Sequence, residues 1–161
     1  MSQQQSRRGT IVIERSYCAR IEDVWDLWTT KEGFESWWGP QGFRVEVHEI
    51  DARVGGGLHY DMIAATPEMV AAMKEMGQAS SHATHSSFVE LRPRERLVLR
   101  NVIDFLPGVA TYESHIAVDF RVVGDRVVMV TTLDGMHNEE FTKMQEQGYT
   151  SQLTKLDTRF G

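Results

Sequence analysis

The side chains able to do chemistry are few and scattered along the sequence. His82 and His85 stand three apart in a Ser-rich stretch, and His59 and His115 alternate onto the polar sides of their segments. A metal site needs three or four converging ligands. The four therefore read as solvated histidines, and neither metal nor other cofactor is expected. Asp104, Glu113 and Tyr60 could serve as acid or base only if turned into a dry cavity, where desolvation raises a carboxyl pKa. The single cysteine, Cys18, has no neighbouring base in sequence and reads as a quiet buried thiol. Gly55-Gly56-Gly57 matches neither a phosphate loop nor a dinucleotide fingerprint. No nucleophile–base pair stands out, and no catalytic residue is assigned. The apolar clusters are more telling. Trp25, Trp37 and Trp38 offer large contact surfaces, either as pocket wall or as locks between elements. Met69, Met73 and Met76 recur at helical spacing as a soft stripe, suited to packing or to closing over an apolar guest.

The elements that would position these residues follow from periodicity. From Asn138 to Phe160, Phe141, Met144, Tyr149, Leu153, Leu156 and Phe160 mark the stripe of an amphipathic helix roughly 35 Å long, capped by Asn138. Thr10 to Cys18 alternates as a strand. Ile21, Val24, Trp25 and Trp28 then form one face of a short helix. A second short helix, capped by Thr29 or Thr30, holds Phe34, Trp37 and Trp38 and stops at Gly39-Pro40. Strands follow around Phe43–Val47 and Leu58–Met62. Thr66-Pro67 starts a helix that Gly77 ends, and polar Gln78 to Ser87 reads as loop. Four more strands are expected at Ser87–Leu91, Arg96–Phe105, Glu113–Val123 and Arg126–Leu133, with turns at Pro93 and Gly124-Asp125.

Length and composition set the bounds. At 161 residues with 41% hydrophobic and 25% charged residues, one folded domain over 9–161 is expected, behind a frayed polar tail over 1–8. No apolar run reaches the roughly 20 residues of a membrane helix, so no membrane insertion is expected. The net charge of −6, with 17 scattered basic residues, argues against a nucleic-acid partner. One cysteine and no signal-peptide core fit a reducing cytoplasm.

Seven strands at about 4.8 Å make a sheet roughly 30 Å wide, whereas a helix is only about 10–12 Å across. The sheet must curl, and small or polar residues at Ala64, Asn101, Ala117 and Gly148 leave an enclosed hollow as the expectation. A fully packed core is the alternative.

Arg15-x-Tyr17 with Val24-Trp25 resembles the opening of the helix-grip superfamily of START and birch-pollen-allergen-like proteins (SRPBCC). Trp37-Trp38-Gly39-Pro40, Asp51-x-Arg53-x-Gly55-Gly56, Pro93-x-Glu95-Arg96-Leu97 and Gly148-Tyr149-x3-Leu153-x2-Leu156 are similar to the branch homologous to the activator of heat-shock-protein-90 ATPase. The resemblance runs from about residue 10 to 160. It implies an α+β fold: a curved antiparallel sheet of six to seven strands wrapped around a long C-terminal helix, with two short helices after the first strand and an apolar cavity inside. Two departures stand out. Ala19-Arg20 replaces the usual Ala-Pro, and residues 66–86 look like an inserted helix and loop that could serve as a lid. Co-chaperones of this branch carry a separate N-terminal domain for which 161 residues leave no room, so chaperone activation is not expected.

The function expected is binding of a small apolar or amphipathic molecule in that cavity by a monomer or homodimer. Its expected walls are Trp38, Tyr60, Met62, Met73, Phe105, Phe120, Tyr149 and Leu153. A cofactor-free cyclase or dehydratase is the second reading, and a protein-partner module the third.

Overall fold

Strand β1 (Thr10–Tyr17) and strand β2 (Phe43–Ile50) lie on opposite edges of one antiparallel sheet, in the order β1-β7-β6-β5-β4-β3-β2. The computed structural model describes residues 9–104 and 108–161; the expected tail over 1–8 and Phe105 lie outside these residues. The chain crosses from one edge to the other through helices α1 (Ile21–Thr29) and α2 (Lys31–Glu35). It then returns strand by strand through β3 (Gly57–Ala64), β4 (Ser81–Arg92), β5 (Arg96–Ile103), β6 (Tyr112–Val123) and β7 (Arg126–Asp134). Helix α3 (Pro67–Glu75) interrupts the β3–β4 connection, and α4 (Glu139–Phe160) closes the fold. The sheet is curved and open, and the whole is the α+β helix-grip arrangement. No helix among the described residues is long and apolar enough to cross a membrane.

Local chemistry accounts for the element ends. Asn138 caps α4 by accepting from Phe141 N at 2.8 Å, and Thr66 caps α3 from Met69 N at 3.1 Å, with Pro67 in the first turn. Thr30 caps α2 by accepting from Gly33 N at 3.0 Å. That helix ends at Glu35, so Trp37 and Trp38 lie just beyond it in the turn. The core is a band of aromatic and aliphatic side chains between α1, α2, α4 and the sheet, with Trp28, Phe34 and Trp37 fully buried.

Three expectations change. Strand β4 opens at Ser81, so residues 81–87 are strand rather than loop. Ser81 pairs with Ile63 and Ser87 with Gly57, while His82, Thr84 and Ser86 turn toward the inside of the sheet. An inward row of polar residues carries no apolar alternation, which hid the strand. Cys18 is exposed, not buried; its N–H donates to Phe160 O at 3.0 Å, so the backbone is anchored while the thiol faces out. His85 is not a loop histidine: its Nδ1 lies 2.9 Å from Nδ1 of His59 on the neighbouring strand.

The Asp51-x-Arg53-x-Gly55-Gly56 motif is a joint between β2, β3 and β4. Gly55 N donates to Phe88 O at 2.7 Å, and Phe88 N donates to Gly56 O at 2.9 Å. A Cβ on Gly56 would stand 1.9 Å from Asp51 O, which is backbone and cannot step aside cheaply. Gly56→Ala is therefore expected to destabilise the fold by about 1–3 kcal/mol, read as a lower midpoint in urea unfolding. An unchanged midpoint would contradict the close approach.

Candidate functional site

Helix α4 is held tightly along its second half. Gln152 Oε1 accepts from Gly39 N at 3.0 Å, Lys155 Nζ donates to Gly39 O at 2.8 Å, and Ser151 Oγ accepts from Gln41 N at 3.0 Å. Gly39 sits at φ +100°, a conformation open to glycine, and presents both backbone groups to the helix. The Trp-Trp-Gly-Pro turn is thus a helix clamp. Toward the first half of α4 the fit is looser, and Met144, expected on the buried stripe, is half exposed.

Between this part of α4 and the sheet lies a cavity of about 220 Å³. One water needs about 10–15 Å³ by the same measure, so the space is not a packing flaw. Its sheet side is formed by Tyr60 and Met62 of β3, His82 and Thr84 of β4, Asn101 and Ile103 of β5, Ser114 and Ile116 of β6, and Leu133 of β7. Gln145, Gly148, Tyr149 and Gln152 of α4 form the opposite wall, with Trp38 and Met136 at the sides. Two wider depressions, of about 420 and 550 Å³, are surface grooves bordered by charged residues such as Asp23, Glu32 and Arg159. They lack the inward-facing apolar walls of the interior cavity.

The cavity wall is mostly apolar yet carries polar groups. Trp38 Nε1 donates to Tyr60 OH at 3.1 Å, and the Tyr149 and Thr131 hydroxyls share a bond of 2.6 Å. Burial pushes the Tyr60 hydroxyl up to about 12, against hydrogen bonds to Trp38 and Thr84 that pull it down. Burial raises Tyr149 as well, so both phenols are neutral at physiological pH. Ser86 Oγ donates to Asn101 Oδ1. His82 is the histidine of the sheet side. Burial lowers its pKa below the ordinary 6.5, with Asp61 pulling weakly the other way. Between the folded and ordinary values the unfolded chain holds the extra proton, so this contribution to stability is complete above about pH 6.5 and is lost as pH falls through the folded value. The loss of melting temperature between about pH 7.5 and pH 5 is expected to be smaller in His82→Gln than in the wild type. Equal losses in the two proteins would exclude this effect.

Of the expected wall residues, the structure brings Trp38, Tyr60, Met62 and Tyr149 together around the cavity. Three others are corrected. Phe120 lies further along β6 and packs edge-on against Trp25, centroids 5.4 Å apart. Leu153 is fully buried in the packed core, one helical turn past Tyr149. Met73, on α3, is buried without lining the cavity and Met76 is exposed, so the insertion contributes His82 and Thr84 rather than its methionines. Phe105 falls outside the described residues. Asn101 and Gly148 do open the space; Ala64 does not line it, and Ala117 faces the opposite side of the sheet beside Asp119. Asp104 and Glu113 are exposed, with Glu113 3.6 Å from Arg100, so neither carboxylate is a wall group. Among the described residues no three His, Cys, Asp or Glu side chains form a group that could hold a metal ion.

The wall residues missed by sequence reasoning are apolar Ile103, Ile116, Leu133 and Met136 and polar Gln145, Gln152, Ser114, Thr84 and His82. A signal existed in α4. Positions 145, 149, 152 and 156 follow a heptad-like spacing, and two of the four are glutamine, as for a helix face that meets a polar-lined space.

The structure resembles several solved ones. A Chromobacterium violaceum protein shares 21% identity and a TM-score of 0.77, over 94% of this chain and 96% of that one. An Arthrobacter aurescens protein gives 19% and 0.74, over 94% and 85% of the two chains. The AHSA1 protein of Silicibacter pomeroyi gives 17% and 0.72, over 94% and 96%. At these identities the likeness is one of fold. No curated protein matches the sequence. The family described as "Activator of Hsp90 ATPase homolog 1-like protein" matches residues 18–161, nearly the whole described fold. With its motifs accounted for as a helix clamp and a strand joint, the chain belongs to the activator of Hsp90 ATPase homolog 1-like family, within the helix-grip (SRPBCC) superfamily.

Proposed function

We propose that the protein binds one small apolar or amphipathic molecule in the cavity between the sheet and α4. The observation that carries this reading is a hollow of about 220 Å³ walled by Trp38, Tyr60, Met62, Ile116 and Leu133. An apolar protein cavity of about 150 Å³ admits benzene, so this one has room for a one- or two-ring compound. Burying about 300 Å² of apolar ligand surface contributes roughly 7 kcal/mol at about 25 cal/mol per Å². The ligand's lost translational and rotational freedom offsets part of this, so the net affinity is weaker than the burial term alone gives. The test is native mass spectrometry of protein purified from cells, followed by titration with the neutral two-ring fluorophore 1-naphthylamine. A retained small molecule, or one saturable site for the fluorophore, is expected. The absence of both would sink the reading.

One observation favours a second reading, a cofactor-free enzyme of the cyclase or dehydratase type. His82 is an imidazole held neutral by burial at the cavity wall, as a general base must be. On this reading His82→Gln abolishes turnover of a retained molecule while leaving its binding intact.

A further inference from the structure

Buried polar groups in a folded protein are nearly all paired. In this one, four buried side-chain atoms of the described residues have no hydrogen-bond partner, and three of them belong to residues that wall the cavity: Ser114 Oγ, Gln145 Oε1 and Gln152 Nε2. Ser114 and Gln152 are 1% and 3% exposed, so bulk water does not serve them. The orientation of Gln152 is dictated by chemistry. Gly39 N–H can only donate, so the atom 3.0 Å from it must be the amide oxygen, and the amide nitrogen is left over as an unmet donor. Gln145 stands seven residues earlier, on the same side of α4, and offers an unmet acceptor. Seven residues of helix separate their backbones by about 10 Å. The two unmet groups thus belong to opposite ends of the space, with Gly148 and Tyr149 between them and apolar Ile116 and Leu133 across from them. Among the described residues no Asp, Glu, Lys or Arg lines the walls, and burial disfavours the protonated form of His82, so a full charge is costly to bury there.

From this arrangement we infer that the ligand is a neutral, two-ended molecule: a flat apolar body with a hydrogen-bond acceptor at the Gln152 end and a donor at the Gln145 end. Two hydroxyl groups on a fused ring system meet both demands. This rests on the cavity-binding reading and narrows it to a ligand class. Leaving a buried amide unmet is costly, so an apolar compound of the same shape is disfavoured even though it fits.

The test is a graded series of probes titrated by quenching of tryptophan fluorescence: naphthalene, 2-naphthol, 2,6-dihydroxynaphthalene and 2,6-naphthalenedicarboxylate. Affinity is expected to rise about tenfold with each hydroxyl, and the dicarboxylate is expected not to bind. Gln145→Met preserves length and shape and should bring the diol to the affinity of 2-naphthol while leaving naphthalene unchanged or tighter. Gln152→Glu keeps an oxygen for Gly39 N–H but loses the donor, and should weaken the diol by about tenfold or more. If naphthalene binds as tightly as the diol, or the ranking survives both substitutions, or the dicarboxylate binds as well, the polar-ended ligand is wrong and the apolar cavity reading stands. If no member of the series binds, both fall.

Discussion

Gly148→Leu is expected to abolish binding at the cavity while the protein remains folded. A Cβ on Gly148 meets nothing within 4 Å, although the residue lies in the middle of α4 and opposite the sheet. Glycine inside a helix costs about 0.8–1.0 kcal/mol relative to alanine, and here no close approach of backbone requires it. What its missing side chain leaves is space. Gly148→Ala should therefore stabilise the fold by roughly 0.5–1 kcal/mol and reduce binding only modestly. Leucine at the same place projects into the cavity, removes much of its volume, and should weaken 1-naphthylamine binding by at least about 100-fold. The measurements are the fluorophore titration and a circular dichroism melt on the same samples. Undiminished binding in a well-folded Gly148→Leu variant would place the ligand elsewhere.

Trp37→Ala carries the largest expected loss of stability. Trp37 is fully buried, its N–H donates to Leu27 O at 2.9 Å, and its ring meets Trp28 and Trp38 edge-on with both centroids 5.1 Å away. It joins α1 to the turn that clamps α4, so its removal loosens three elements at once. Truncating a buried tryptophan to alanine costs about 3–5 kcal/mol, against a total of about 5–15 kcal/mol for a typical domain. At about 2–4 °C per kcal/mol for a chain of this size, the melting temperature should fall by roughly 10–15 °C. Trp37→Phe keeps a ring but not the donor, and should lose about 1–2 kcal/mol. A fall of less than about 3 °C in the alanine variant would show that the aromatic cluster is not a structural lock.

The recognisable motifs share Trp38, Gly148 and Tyr149 with the cavity wall. Trp37, Gly39 and the Gly55-Gly56 pair have roles in fastening elements, and those roles are visible as backbone or ring contacts. They made the family legible. The unmet polar atoms of the cavity, on Ser114, Gln145 and Gln152, fall at none of the motif positions, and the expected wall residues divide between cavity and core. Tyr149 and Leu153 are one turn apart on one helix stripe, yet the first faces the cavity and the second packs into the core. Periodicity says which side of an element is inward. It does not say whether the space on that side is filled.

The sequence alone determined the order of elements, the apolar faces of four strands and the stripe of the long helix, because apolar alternation and capping residues are local properties that survive without knowing the neighbours. It also marked Asn101 and Gly148 as places where side-chain volume runs short. Only the tertiary structure decided that β4 begins at Ser81, that His82 sits at the cavity wall, and that Ser114, Gln145 and Gln152 hold unmet polar atoms there. The reason is physical. Where an element faces a hollow instead of a packed core, the burial that stamps apolar periodicity on a sequence is absent, and a polar inward residue looks the same as a solvated one until its neighbours are in place.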